Sequence, residues 1–286
     1  ELALGAVEKG EITFYPDNYR KIFNYWMSNT ADWNISRQIV WGIPIPAKIC
    51  TSANCGHAFP DLETETEAEA KTETGTKTET EKCPKCGGAV TKDTDTFDTW
   101  FSSGQWPYAT LGYPDNSDFK NFYPTDVMET AGDIIFFWVS RMIMLGLYVT
   151  GKVPFKTVYL HGVVLDAKGK KMSKSKGNVI NPLDLTAKFG TDAFRMGMIV
   201  GNTPGASLSL SEDKIKGYKH FANKLWNITR FVLTSVEGEK CVNGFKDWSD
   251  LDKKLVEEFD LIIKDVTSDM DNFRFYLASE KLYHYS

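Results

Sequence analysis

Two stretches of this 286-residue chain hold side chains whose types and spacing could do chemistry. The first is Lys168-Gly-Lys-Lys-Met-Ser-Lys-Ser-Lys-Gly-Asn178, with five lysines and one acid, Asp166, within residues 166–176. Ammonium groups on such a loop can hold polyphosphate and offset the charge that builds as a phosphate leaves. Serine and glycine leave the loop free to close over a nucleotide. A solvated basic turn is the plainer reading of a lysine run alone. The second stretch carries two cysteine pairs, Cys50 with Cys55-Gly56, and Cys83-Pro-Lys-Cys86-Gly-Gly. Thiolates at this spacing can grip one tetrahedral ion, with glycine permitting the tight turn. The pattern predicts a structural Zn²⁺ site of Cys50, Cys55, Cys83 and Cys86, closed by protein ligands. His57 is an alternative to Cys50, and free thiols in an eroded site are the plain alternative. Cys241 is isolated and is given no role.

These side chains need elements to position them. Apolar residues make up 42% and charged residues 25%, an ordinary globular composition that excludes a collagen, a rod or a wholly disordered chain. Net charge is −5, which argues against a generic basic nucleic-acid coat. Residues 61–82 hold eight acids against three lysines, so the remainder is about neutral. That low-complexity stretch predicts a flexible loop. Five cysteines are too few for a disulfide scaffold and suit a reducing, cytoplasmic compartment. No signal-peptide pattern opens the chain, and the apolar run Ile134–Val149 reads as a buried helix too short to span a bilayer. The first 17 residues read as the tail of a β-rich region, and the absent initiator Met suggests a fragment.

Helical spacing marks 17–27, 133–149, 181–189 and 192–199, and strands are predicted at 35–46, 122–128 and 157–165. The lysine loop then follows a strand and precedes a helix, the position where open α/β sheets bind ligands. From Ser211 onward, apolar stripes at Ile215, Tyr218, Phe221, Leu225 and at Leu255, Phe259, Ile262 predict an all-helical domain. The fold class expected is α/β, half of a parallel sheet, followed by a helical bundle.

Lys171-Met-Ser-Lys-Ser175, preceded by His161-Gly162 at a strand end, matches the lysine signature of class I aminoacyl-tRNA synthetases. Asp32-Trp-Asn-Ile-Ser-Arg-Gln38 with Trp41-Gly-Ile-Pro-Ile-Pro46 resembles the point where that family's chain returns to its catalytic domain after the editing insertion. Asp95-Thr-Phe-Asp-Thr-Trp-Phe-Ser-Ser103 and Asp133-Ile-Ile-Phe-Phe-Trp138 are similar to the valine-specific branch and differ from the isoleucine enzymes. Phe221-Ala-Asn-Lys-Leu-Trp-Asn227 resembles the start of the family's helical anticodon-binding domain.

The resemblance implies the second half of a Rossmann-like nucleotide-binding domain with a zinc-knuckle insertion. Its expected divisions are 1–30, tail of the editing insertion; 31–210, catalytic domain, with the knuckle at 48–95; and 211–286, anticodon-binding helices. It implies ATP-dependent activation of valine, with Mg²⁺, and transfer to the 2′-hydroxyl of the terminal adenosine of tRNA(Val). Trp100, Ile134 and Trp138 would line the valine pocket, with Asp133 near the amine or the ribose. For Asp133, a helix N-cap is the plain alternative. His161 and Gly162 would contact adenine or ribose. Lys174 first, then Lys171, with Ser173 and Ser175, would act on the leaving pyrophosphate. The order Thr130-Ala-Gly-Asp133 places its glycine one position later than the family's usual pattern. No His-Ile-Gly-His-type motif occurs around any of the four histidines. The chain alone is therefore expected to lack half the site and to need a partner supplying it. An isoleucyl or leucyl synthetase fragment, or a non-catalytic RNA- or zinc-binding derivative, are the other readings.

Overall fold

The computed structural model describes residues 1–61, 82–238 and 248–286, apart from the side chain of Lys174. The loop expected at 61–82 and Cys241 therefore fall, but for residues 61 and 82, outside the described residues. Contacts divide the chain into two units, each discontinuous in sequence. One comprises Glu1–Lys9, Phe23–Thr125 and Ile135–Pro154; the other comprises Gly10–Ile22, Asp126–Ile134 and Phe155–Ser286.

In the first unit the helix Ser140–Thr150 is central. It buries Ser140, Met142, Ile143 and Gly146 and ends at Gly151, whose φ of 72° gives the left-handed cap. The helices Leu2–Glu8, Thr99–Gly104 and Trp106–Ala109 pack against it. Two expectations fail here. The opening segment is helical, because Ala3, Ala6 and Val7 recur at helical spacing and form its buried face. The apolar run is not one helix buried all round. It is a 3₁₀ turn Gly132–Ile134, a π-helical turn Ile135–Val139, and then the α-helix. Phe137, Met144 and Tyr148 on it are exposed. Gly132–Thr150, 19 residues, is long and apolar enough to cross a membrane by length and composition alone, and 39% of the tested window is buried within the protein.

Cys50 ends the middle strand of a small antiparallel sheet of Ala58–Pro60, Ala47–Cys50 and Val90–Lys92, opposite Val90, and Cys55, Cys83 and Cys86 lie outside its strands. Of the strand and turn expected at 35–46, Ser36–Arg37 pairs antiparallel to Thr96–Phe97, and Pro44 adds a single antiparallel bridge to Thr96. Pro44 and Pro46 lack the N–H groups that a longer ladder requires.

The second unit holds the parallel sheet. Phe155–His161 lies between Thr13–Tyr15, which it pairs in parallel, and Thr125–Ala131. Phe155, Val158 and Leu160 are fully buried along its length. Val164–Leu165 then pairs in parallel with Leu208–Ser209. The helices Pro182–Phe189 and Thr191–Ile199 form as expected, the first capped by Asn181. With Glu212–Ser235 they close a core of Leu185, Phe189, Ala193, Leu210 and Ile215. Asp250–Asp271, with a Ser249–Asp252 capping box, and Phe275–Tyr285 complete the helical end.

Candidate functional site

The second unit gathers one set of polar groups beyond its strand ends. His161, last residue of its strand, brings Nδ1 to 2.9 Å from the Gly162 carbonyl and Nε2 to 3.3 Å from Glu129 Oε1. Gly162 permits a close crossing of chains. A Cβ there would lie 1.6 Å from the carbonyl oxygen of Ala206. Asp133 does not cap the α-helix, which starts seven residues later. Its carboxylate faces Lys171, with Nζ 3.9 Å away. The displaced glycine, Gly132, has a local cause. A Cβ there would meet Tyr19 Cε1 at 2.3 Å, so the Tyr19 ring occupies that space.

The lysine loop is a tied hairpin. Asp166 N–H donates to the Lys170 carbonyl at 2.9 Å, and Leu165 bridges to Lys171. Gly169 makes the turn with φ 73°, and a 3₁₀ turn follows at Lys174–Lys176. The Ser173 and Ser175 hydroxyls share a hydrogen bond of 2.9 Å.

The first unit holds the aromatic residues. Trp100 lies on Thr99–Gly104, half-buried, stacked on Phe137 with ring centres 5.6 Å apart. Trp138 donates its indole N–H to the Ser103 carbonyl at 3.2 Å. Ile134, also half-buried, closes the 3₁₀ turn just before the segment carrying both Phe137 and Trp138. Asp98 fixes the helix start, accepting the Trp100 backbone N–H at 3.0 Å. It also accepts the Trp33 indole N–H at 2.8 Å and the Arg37 guanidinium at 2.5 Å. Arg141 lies over the Trp33 ring, 3.7 Å from its centre.

Burial raises the Asp98 pKa, but the Trp100 N–H, the Trp33 indole and the Arg37 charge outweigh it, so the carboxyl sits below its ordinary range. A depressed carboxylate pKa stabilises the fold above the unfolded value of ~3.9 and loses that contribution as pH falls through the folded value. The contribution of Asp98 to the stability of the first unit, read as the difference in urea midpoint between the parent and Asp98→Ala, should thus be flat above about pH 5 and decline below about pH 4. On the flat part Asp98→Ala should cost about 2 kcal/mol. This is less than the roughly 3–5 kcal/mol of a fully buried pair, because the Arg37 side chain is 40% exposed.

The four cysteines converge. Their sulfurs all lie within 4.8 Å of one another, with Cys50–Cys86 at 3.5 Å and Cys55–Cys83 at 3.8 Å. A tetrahedral ion with metal–sulfur distances of ~2.3 Å separates its ligands by about 3.8 Å, so the set fits. Gly56 (φ 53°) and Gly87 (φ 71°) supply the turns, and the Gly88 N–H points to Cys86 Sγ at 3.4 Å. Ser52 hydrogen bonds lower the Cys50 thiol to about 6. Against the His57 backbone N–H, which lowers it, burial and the other three thiols push Cys55 up to about 11. His57 stacks near Phe59 and is not part of the cluster, so Cys50 rather than His57 completes the set of four that could hold an ion.

Residues 1–211 match the family model described as tRNA synthetases class I (I, L, M and V). The chain belongs to this class I synthetase family. It is 41% identical over 288 residues to the valine–tRNA ligase of Clostridium tetani, covering 99% of this chain and 31% of that protein. It is 48% identical over 232 residues to that of Desulfotalea psychrophila, covering 80% of this chain and 24% of the relative. The chain thus spans about a third or less of the relatives it matches. Solved synthetase structures share the fold. One is Agrobacterium radiobacter K84 LeuRS in a ternary complex with tRNA and LeuAMS, with TM-score 0.70, 22% identity and coverage of 92% of this chain and 38% of that one. Another is Mycobacterium tuberculosis methionyl-tRNA synthetase bound by methionyl-adenylate, with TM-score 0.69, 22% identity and coverage of 98% and 48%.

Within this class I synthetase chain, the structure pairs Asp133 with Lys171, Ser173 with Ser175, and the thiols with one another. Trp100 lies on the helix Thr99–Gly104, and Trp138 bonds that helix through the Ser103 carbonyl. Lys174 is placed by its backbone only. Sequence reasoning left Asp98, Phe137, Glu129, Asp166 and Asn178 without roles. Asp98 stands where an N-cap is expected, directly before a helical run, and Gly177-Asn178 is a turn signal. Nothing in spacing marks Glu129 or Phe137, whose partners come from distant strands and rings.

Proposed function

We propose that the chain carries part of the activity of a valine–tRNA ligase, a cytoplasmic enzyme that joins valine to tRNA(Val). The observation that carries this reading is the 40–48% identity to valine–tRNA ligases, which runs through 80–100% of the chain. In the first step, a valine carboxylate oxygen bonds to the α-phosphorus of ATP, supplied as its Mg²⁺ complex. The bond to the bridging oxygen breaks and pyrophosphate leaves. Lys174 and Lys171 neutralise the departing charge, assisted by the Ser173 and Ser175 hydroxyls. His161 and Gly162 hold the adenosine end, and Asp133 holds the amine or the ribose. Trp100, Ile134 and Trp138 give a rigid apolar surface for the valine side chain. In the second step the terminal 2′-hydroxyl of tRNA displaces AMP. Cys50, Cys55, Cys83 and Cys86 hold a Zn²⁺ that braces the fold. Residues 1–30, 31–210 and 211–286 serve as editing tail, catalytic segment and anticodon helices respectively.

The 286 residues carry no His-Ile-Gly-His-type motif, and the part of a valine–tRNA ligase that bears it supplies the other half of the site. Amino-acid-dependent ATP–pyrophosphate exchange tests this. The chain alone should show none. The chain mixed with that part of a valine–tRNA ligase should respond to valine far more than to isoleucine, leucine or threonine. Exchange by the chain alone would refute the incomplete site, and preference for isoleucine or leucine would refute the valine assignment.

A further inference from the structure

The lysine loop is organised by two side chains that the proposed chemistry does not use. Asp166 Oδ1 accepts the backbone N–H groups of Lys168 at 2.9 Å and Lys170 at 2.8 Å. Its other oxygen accepts the Asn178 amide at 2.9 Å, twelve residues along the chain. Asn178 Oδ1 in turn accepts the Ser173 N–H at 2.9 Å, and its amide also reaches the Lys171 carbonyl at 3.3 Å. The two side chains therefore tie both ends of the loop and its middle into one network.

The charge distribution gives that network a purpose. Asp166 is the only acid within 166–176. A carboxylate among five lysines would ordinarily pair with an ammonium group. Here it is committed to backbone N–H groups and one amide, and among the described residues it forms no ion pair with a loop lysine. Lys168, Lys170 and Lys171 are exposed. Mutual repulsion would splay such a cationic loop. The network fixes its backbone without drawing on the ammonium groups of Lys168 and Lys170, which are left to an outside anion, while Lys171 faces Asp133 at 3.9 Å.

We infer that Asp166 and Asn178 are positioning residues, a clasp that presets the loop lysines for a polyphosphate. This rests on the function proposed above. The clasp has a polarity that can be tested by exchange: at their contact position 166 accepts and position 178 donates. Asp166→Asn sets donor against donor, and Asn178→Asp sets carboxylate against carboxylate. The double variant D166N/N178D reverses the direction of the bond and restores a donor–acceptor pair. It also leaves acceptors for the Lys168, Lys170 and Ser173 N–H groups.

The experiment is limited trypsin digestion of the full chain, with cleavage after Lys168, Lys170, Lys171, Lys174 and Lys176 followed by mass spectrometry. It is run without and with Mg²⁺–pyrophosphate. Each single variant should be cut in the loop about tenfold faster than the parent, the loss of one charge-assisted hydrogen bond. Cleavage elsewhere should be unchanged, and the double variant should return toward the parental rate. The pyrophosphate concentration giving half-protection should rise about tenfold in the single variants and recover in the double. Single variants cut at the parental rate, or a double variant no slower than the worse single, would overturn the clasp. A parent that pyrophosphate never protects, with cleavage rates still ranked as expected, would overturn the polyphosphate reading and the positioning role with it.

Discussion

Gly162→Ala should destabilise the second unit by about 3 kcal/mol or more, at or above the upper end of ordinary overpacking. The added methyl would sit 1.6 Å from the Ala206 carbonyl oxygen, 2.2 Å from its carbon and 2.8 Å from the Ser207 nitrogen. Those are backbone atoms, so no rotamer change relieves the clash. The crossing segment is also tied on both sides. Gly205 N–H donates to Leu160 O at 2.9 Å and Leu208 N–H to Val163 O at 3.1 Å. To admit a methyl, one of these pairings must open, and the pairing of Leu208–Ser209 with Val164–Leu165 follows it. Urea unfolding read by circular dichroism should show a lower midpoint. Hydrogen exchange should place the loss in 160–165 and 205–210. A midpoint equal to the parent's would mean that the crossing can widen without cost.

Removing the metal should act on the other unit. A purified chain should hold one zinc ion, released in step with the titration of four thiols by a mercurial reagent. Apparent binding energies for structural zinc in finger peptides run to ~10–16 kcal/mol, so the ion would dominate this small sheet. Its strands are only three or four residues long, and Cys50, at the end of the middle one, ties them to the other three thiols. Cys83→Ser or chelation should therefore unfold Ala47–Cys50, Ala58–Pro60 and Val90–Lys92, leaving the parallel sheet folded. Acid should release the ion, because binding requires thiolates. A zinc-free chain with all five thiols freely reactive and an intact knuckle would refute the metal.

These two sites were unequally legible in sequence. The thiol cluster is local, with each pair inside a short turn, so residue type and spacing were sufficient. Helices with a clear apolar stripe, such as Asn18–Ser28 and Pro182–Phe189, were equally readable, the second also marked by its Asn181 cap. Leu2–Glu8 was not, since six apolar residues and a terminal acid fit a strand as well as two helical turns. The strand at Thr125–Ala131 begins three residues later than expected. Phe122 closes a helix, and the strand takes its register from Pro154, whose carbonyl accepts the Thr125 N–H. The partners of Asp98, Arg37 and Trp33 lie some sixty residues apart, so spacing could name Asp98 as a cap but not show what else it holds.

The π-helical turn Ile135–Val139 sets a phase. An α-helix advances about 100° per residue, so one additional residue in a turn rotates everything beyond it by that angle. Ser140 Oγ bonds the Ile135 carbonyl at 3.0 Å and helps to hold the widened turn. Deleting a single residue from this stretch would lengthen no loop and remove no charge. It would swing Met142, Ile143 and Gly146 off the packed face and turn the aromatic residues out of register with Trp100 and Ser103. The segment should therefore tolerate changes of side chain better than changes of length, and a one-residue deletion here should read as loss of function even where every aromatic residue survives.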